Sequence, residues 1–326
     1  MQASKVLSVL AVLAGVTALV VPASADVIAF EQIALGGGNN VSLGNNVTIT
    51  GLVAAGKTFS AGTDASLMDI FAGRDVSIGN NSTISGSVTA NRDIWIGNNG
   101  SVAGDVTAGI GRTPGLGRHT TAGGTVGGAA DASQTYQGVY VDDLAVPSHG
   151  AYGSQSIWGA NNSTTTLDVG EYRDLSLGSR ATLNLSSGVY TLKSLWMGAN
   201  GMVNVDTSAG DVTLNVLGSF GTGTKVTFNT TGGGALKINV FDSSVWLGNE
   251  NVIDADVRVY NGSFETGNNA VLTGTYLATA NVWLGNNTSL TYSGAQTVPE
   301  PAAMTVLAIG GLLMLRRSRA LRQTIR

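Results

Sequence analysis

The 326-residue chain has no cysteine, five prolines, two histidines and only 12% charged residues. Without cysteine it has neither disulfides, Cys/His zinc centres nor a thiol for lipid attachment, so packing and hydrogen bonds alone must hold it together. The two histidines, His119 and His149, are too few for the zinc or acyl-transfer chemistry of hexapeptide-repeat helices, and they read as loop residues. The formal net charge is −4, and the basic residues Lys5, Arg316, Arg317, Arg319, Arg322 and Arg326 lie at the chain ends, so the body is more acidic still. That balance disfavours a nucleic-acid partner. The 46 glycines, about twice the usual share, do not follow a Gly-X-Y period, and 43% hydrophobic content argues against disorder. Repetitive β-structure is what remains.

The ends read as addresses. Lys5 precedes an apolar run from Val6 to Val21, and Ala23-Ser24-Ala25 offers a small-residue cleavage site before Asp26. This predicts a secretory signal peptide over residues 1–25. The other end, residues 297–326, holds Pro299-Glu300-Pro301, an apolar stretch from Ala302 to Leu315, and the cluster Arg316-Arg317-Ser318-Arg319. Arginines behind a short apolar helix keep that end cytoplasmic and leave the upstream chain outside. The triplet, helix and arginine cluster together resemble the PEP-CTERM sorting signal of Gram-negative bacteria. The resemblance implies an exosortase-type membrane protease as partner, cutting near Pro299, Glu300 and Pro301. It also implies transient membrane association through the C-terminal helix, then delivery to the cell surface or extracellular matrix.

Between the ends one pattern recurs: Val41-Ser42-Leu43-Gly44-Asn45-Asn46, Val76-Ser77-Ile78-Gly79-Asn80-Asn81, Ile94-Trp95-Ile96-Gly97-Asn98-Asn99, Val245-Trp246-Leu247-Gly248-Asn249 and Val282-Trp283-Leu284-Gly285-Asn286-Asn287. The period is near 18 residues and subdivides by six through Ile78, Ile84, Ala90, Ile96, Val102 and Ala108. This predicts an all-β chain, a parallel β-helix (β-solenoid) with three short strands per turn. The corners suit Gly-Asn-Asn because glycine, and next asparagine, tolerates positive φ. The expected organisation is a first solenoid segment over 26–110, a Gly-rich loop or linker over 111–155, and a second segment over 156–296. The first segment, with Ile-Gly-Asn-Asn and Ile84-Ser85-Gly86-Ser87-Val88, resembles the bactofilin β-helix, a polymer-forming scaffold. The region from Gly188-Val189-Tyr190 through Thr275-Tyr276-Leu277-Ala278 to Trp283-Leu284-Gly285-Asn286 is similar to β-helical domains of pilus-associated and other exported surface proteins.

Chemistry is sparse. Asp142-Asp143 and Asp254-Ala255-Asp256 offer paired carboxylates for acid–base work or calcium, but neither sits in a recognisable loop motif, and no catalytic residue, cofactor or metal site is expected. Trp95, Trp196, Trp246 and Trp283 occupy the outward position of the Val-x-Leu-Gly strand, and Trp246 and Trp283 should lie two rungs apart with Glu265 between them. Aromatic rings so placed stack on sugars or on another protein surface. The expectation is a non-enzymatic structural or adhesive protein whose tryptophan face binds extracellular polysaccharide or like subunits. The alternatives are a carbohydrate-active β-helix enzyme, which needs Asp with Arg or Lys on one face, and an ice-binding protein. Ice binding needs a stacked Thr-x-Thr array, which Thr48-Ile49-Thr50 begins but Thr83-Ile84-Ser85 and Ser101-Val102-Ala103 do not keep.

Overall fold

A computed structural model of the chain describes residues 32–129 and 146–293. The signal segment with Ala25 and Asp26, the tail with Pro299, Glu300, Pro301, Arg316, Arg317 and Arg319, and the pair Asp142 and Asp143 lie outside the described residues. No helix among the described residues is long and apolar enough to cross a membrane.

The described residues form a parallel β-solenoid of about twelve turns. Each turn lays down three short strands, and alternation decides which side chains go inside. In one turn, Ile94 and Ile96 point inward with Trp95 outward, Val102 inward with Ser101 outward, and Val106 and Ala108 inward with Thr107 between them. The six-residue column Ile78, Ile84, Ala90, Ile96, Val102 and Ala108 is buried throughout. Each fully buried aliphatic contributes roughly 1.5–3 kcal/mol, which no single turn can realise without the turns stacked on it. Turns are 18 residues apart over much of the rod and lengthen to 24 or 25 in the middle of the second segment, where the corner loops are longer. The buried Asn251 is matched on both ends of its amide: Nδ2 donates to Thr222 Oγ1 (2.7 Å) and to the Gly248 carbonyl (3.0 Å), while its Oδ1 accepts from Val226 N–H (2.7 Å).

The Gly-Asn-Asn corner divides its labour differently from the expectation. The positive φ belongs to the last residue of the motif, as at Asn46 (54°), Asn81 (57°), Asn99 (56°) and Asn287 (56°), whereas the motif glycine is not in that region. The glycine is there because adjacent turns approach too closely for a side chain. A Cβ on Gly79 would sit 2.5 Å from the Gly62 carbonyl oxygen, and one on Gly44 2.7 Å from Asn286 N. The asparagines build ladders up the corner. The first accepts the backbone N–H of the next turn (Asn45 N to Asn286 Oδ1, 2.7 Å; Asn98 N to Asn80 Oδ1, 2.7 Å), and the second bonds side chain to side chain (Asn46 Nδ2 to Asn287 Oδ1, 3.0 Å).

Stacking order departs from chain order. Counting turns from one end of the rod, rung 1 carries Ile157–Gly159 and Thr164–Thr166, and the chain climbs to rung 7, made of Tyr276–Ala278, Val282–Leu284 and Ser289–Thr291. Rung 8 is then the start of the other run: Ile33–Gly37, Val41–Leu43 and Thr48–Thr50 pair in register with those three strands. The seam is bonded like any other step, with Gly44 N–H to the Leu284 carbonyl at 2.8 Å and Thr48 N–H to Thr288 at 3.0 Å. The first run continues through rung 12 and past residue 110, where the sequence pattern lapses. Gly115–Leu116 pairs with Trp95–Ile96, Thr121–Ala122 with Ser101–Val102, and Val126–Gly128 with Val106–Ala108. The two segments are one rod, and the chain enters and leaves it at the middle. Val126–Gly128 and Ile157–Gly159, consecutive strands among the described residues, stand at opposite ends of the stack, and before Ile157 the chain runs along the first face with His149 against the Phe241 ring (centroids 4.3 Å apart).

This order makes a direct prediction. A circular permutant that begins at residue 146, joins 293 to 32 through a short linker and ends at 129 restores sequential stacking. It should give the parent's circular dichroism and a denaturation midpoint at least as high, and an unfolded permutant would contradict the seam.

Candidate binding face

The second strand of every turn places its middle residue outward, and the registers align these residues into one column. In rung order it reads Trp158, Ser176, Trp196, Gly221, Trp246, Glu265, Trp283, Ser42, Ser60, Ser77, Trp95 and Gly115. All five tryptophans of the chain stand in this one column. They occupy rungs 1, 3, 5, 7 and 11, so the phase is odd throughout and survives the seam between the two segments.

None of the five rings is covered: their exposures run from 44% at Trp196 to 73% at Trp158. Two of the residues next to them are glycine for a physical reason. The Trp196 ring lies across Gly221, where a Cβ would come within 2.7 Å of Cζ3, and the Trp95 ring lies across Gly115, where a Cβ would come within 2.3 Å of Cε3. Trp196 and Trp246 end parallel to within 4°, with centroids 6.3 Å apart. Glu265 is the one charged side chain in the column. A tight corner follows each of these strands, reading Gly-Asn-Asn after Ser42, Ser77, Trp95, Glu265 and Trp283, so carboxamides stand beside the rings there, while other corners carry charge, as at Arg180, Asp64 and the ion pair Lys225–Glu250 (3.3 Å).

The sequence-expected face therefore comes together at Trp95, Trp196, Trp246 and Trp283, and the register puts Glu265 between Trp246 and Trp283. Trp158 was missed because its string, Ile157-Trp158-Gly159-Ala160-Asn161-Asn162, breaks the Ile-Trp-x-Gly pattern: Gly159 takes the inward slot and Leu177 of the next turn fills the space. The surviving signal was the Asn-Asn corner three residues beyond the tryptophan, as after Trp95 and Trp283.

A second feature lies on the third face. A groove of about 680 Å³ is lined by Asn184, Asn204, Asn229, Asp206 and Asp254, among others. Burial, and then the charge of Asp256, pushes the Asp254 carboxyl above its ordinary range, whereas the Ser208 hydroxyl and N–H hold Asp206 below it. Asp256 itself faces the first strand layer and accepts Thr275 N–H at 3.0 Å. On that layer Lys237, paired with Asp211, and Arg258 share a shallow depression with Asp256. His119 is a corner residue at φ 59°, and His149 lies on Phe241. Among the described residues, no three His, Cys, Asp or Glu side chains converge to hold a metal ion. Also on the third face, Thr48 and Thr50 have Ser289 and Thr291 as neighbours on one side, and Thr48 has Ser66 on the other. The seam thus gives them neighbours different from those that chain order suggests.

Comparison with family models, with curated proteins and with solved structures finds no match for this chain.

Proposed function

We propose that this is an exported, non-enzymatic structural or adhesive protein of the bacterial cell surface or matrix, which grips extracellular polysaccharide through the tryptophan column. The observation that carries this reading is the confinement of all five exposed tryptophans to one column of a rigid rod. Exposed indoles cost solubility and stabilise nothing in the interior, so an aligned set is best accounted for by a ligand. Rings offer flat apolar area at low entropic cost, and the neighbouring asparagines offer hydrogen bonds of the kind sugar hydroxyls take. The signal-peptide and sorting-tail sequences support export and an exosortase-type partner. Because the chain leaves the rod at its middle, next to the third face, a tail-held rod would keep the tryptophan face free.

The test is a pull-down of the purified protein with the producing organism's extracellular polysaccharide, beside a Trp246→Ala/Trp283→Ala variant. Binding should fall by about tenfold or more, while stability stays within about 0.5 kcal/mol because both rings are exposed. Equal binding by the variant would reject the face. A second reading, polysaccharide cleavage in the third-face groove, is favoured by the two carboxyls that line it, Asp254 pushed above the ordinary range and Asp206 held below it. It requires new reducing ends that vanish in Asp254→Asn, and on the adhesive reading none form.

A further inference from the structure

The column has a period as well as a location, and the period constrains the ligand. Successive rungs are about 4.8 Å apart, so the backbone positions that carry the odd-rung rings recur at roughly 10 Å along the rod axis, with the Trp196 and Trp246 rings leaning together to 6.3 Å. We infer that the column takes a neutral, extended β-1,4-linked polysaccharide lying parallel to the rod axis, with one ring for every second sugar. This rests on the reading of the column as a ligand surface.

A β-1,4-linked chain of pyranoses is straight, and each sugar is turned over relative to the last. Equivalent sugar faces therefore recur every second residue, at close to the two-rung distance. An α-1,4-linked chain coils and cannot keep step with a straight column. Neutrality follows from the column's own charge: its one charged side chain is Glu265, midway between Trp246 and Trp283, where a polyuronate would meet like charge. The even rungs hold Ser176, Gly221, Ser42, Ser77 and Gly115 besides Glu265, which leaves room for the alternate sugar.

Rung 9 is the one vacancy in the odd series. Ser60 stands there, half-buried, with its hydroxyl donating to Ser42 Oγ at 3.1 Å. The next residue in the column is Ser77, and a ring at rung 9 would stand beside it as Trp158 stands beside Ser176 and Trp283 beside Ser42. Ser60→Trp would place a ring in phase, whereas Ser42→Trp would place one out of phase.

The experiment measures binding of the full-length protein to soluble β-1,4-linked glucose and N-acetylglucosamine oligosaccharides of increasing length, with α-1,4-linked glucose oligosaccharides as the control. Affinity for the β-linked series should rise in steps of two sugars as further rings engage, and the α-linked series should bind weakly at every length. Ser60→Trp should raise affinity for the longest chains by about three- to tenfold, and Ser42→Trp should not. Tryptophan-dependent binding of matrix polysaccharide without the two-sugar step, or with equal affinity for α-linked chains, would overturn this inference and leave the adhesive reading standing. A dimer that dissociates on Trp246→Ala/Trp283→Ala, with no sugar bound, would assign the column to a second copy and overturn both. The length series on the unaltered protein decides the question even if Ser60→Trp fails to fold.

Discussion

Tyr276→Ala is expected to lower the unfolding free energy by about 3–5 kcal/mol, the range for truncating a large buried aromatic side chain. Tyr276 is fully buried in rung 7, its ring 5.1 Å from that of Phe264, and its hydroxyl donates to the Ile253 carbonyl at 3.0 Å. Burial, and then the charges of Asp254 and Asp256, holds this hydroxyl in its neutral form. Its backbone pairs with Leu35, the first strand of rung 8, so the cavity opens at the junction where two runs distant in sequence meet. A loss there weakens the contact between the two half-rods as well as the local core. Tyr276→Phe keeps the ring and should cost only about 1 kcal/mol. Urea denaturation followed by tryptophan fluorescence measures both, and an alanine variant with the parent's midpoint would mean that the seam does not carry the core.

Gly79→Ala should cost about 1–3 kcal/mol or more, an unusual penalty for one methyl group at a surface corner. The atoms its Cβ would strike are backbone: Gly62 O at 2.5 Å, Gly62 C at 2.6 Å and Thr63 N at 2.7 Å. A flexible side chain could swing away, but a neighbouring turn can yield only by stretching the ladder. Two residues on, the requirement is different. Asn81 holds φ at 57° and donates to Asp64 Oδ1 at 3.2 Å. Asn81→Gly keeps the left-handed backbone at little cost, while Asn81→Ala pays roughly 1–2 kcal/mol for it. Thermal denaturation of the three variants should rank Gly79→Ala with or below Asn81→Ala and well below Asn81→Gly. The reverse order would mean that the glycine is there for its φ after all.

Much of this architecture is legible in the sequence because the solenoid repeats one local rule. Ile78, Ile84, Ala90, Ile96, Val102 and Ala108 announce three strands per turn, and alternation alone puts Trp95 and Trp246 outside. What the corner glycine does was misjudged because φ is a property of one residue, whereas the clash at Gly79 exists only once Gly62 is stacked on it. Gly115–Leu116 and Thr121–Ala122 were hidden for a related reason: as strands of the last turn they carry little apolar patterning, and pairing with Trp95–Ile96 and Ser101–Val102 supplies what the pattern lacks.

The sequence by itself determined the strand, the turn and the side on which Trp95, Trp196, Trp246 and Trp283 stand, since those depend on alternation and on corner residues within a few positions of one another. Only the tertiary structure decided the order of the turns. Backbone ladders are chemically alike at every step, so Val282–Leu284 can pair with Val41–Leu43 as well as with any later strand, and nothing local marks that choice. The choice matters for function, because the odd phase of Trp158, Trp196, Trp246, Trp283 and Trp95 exists only when the two runs are stacked in that order.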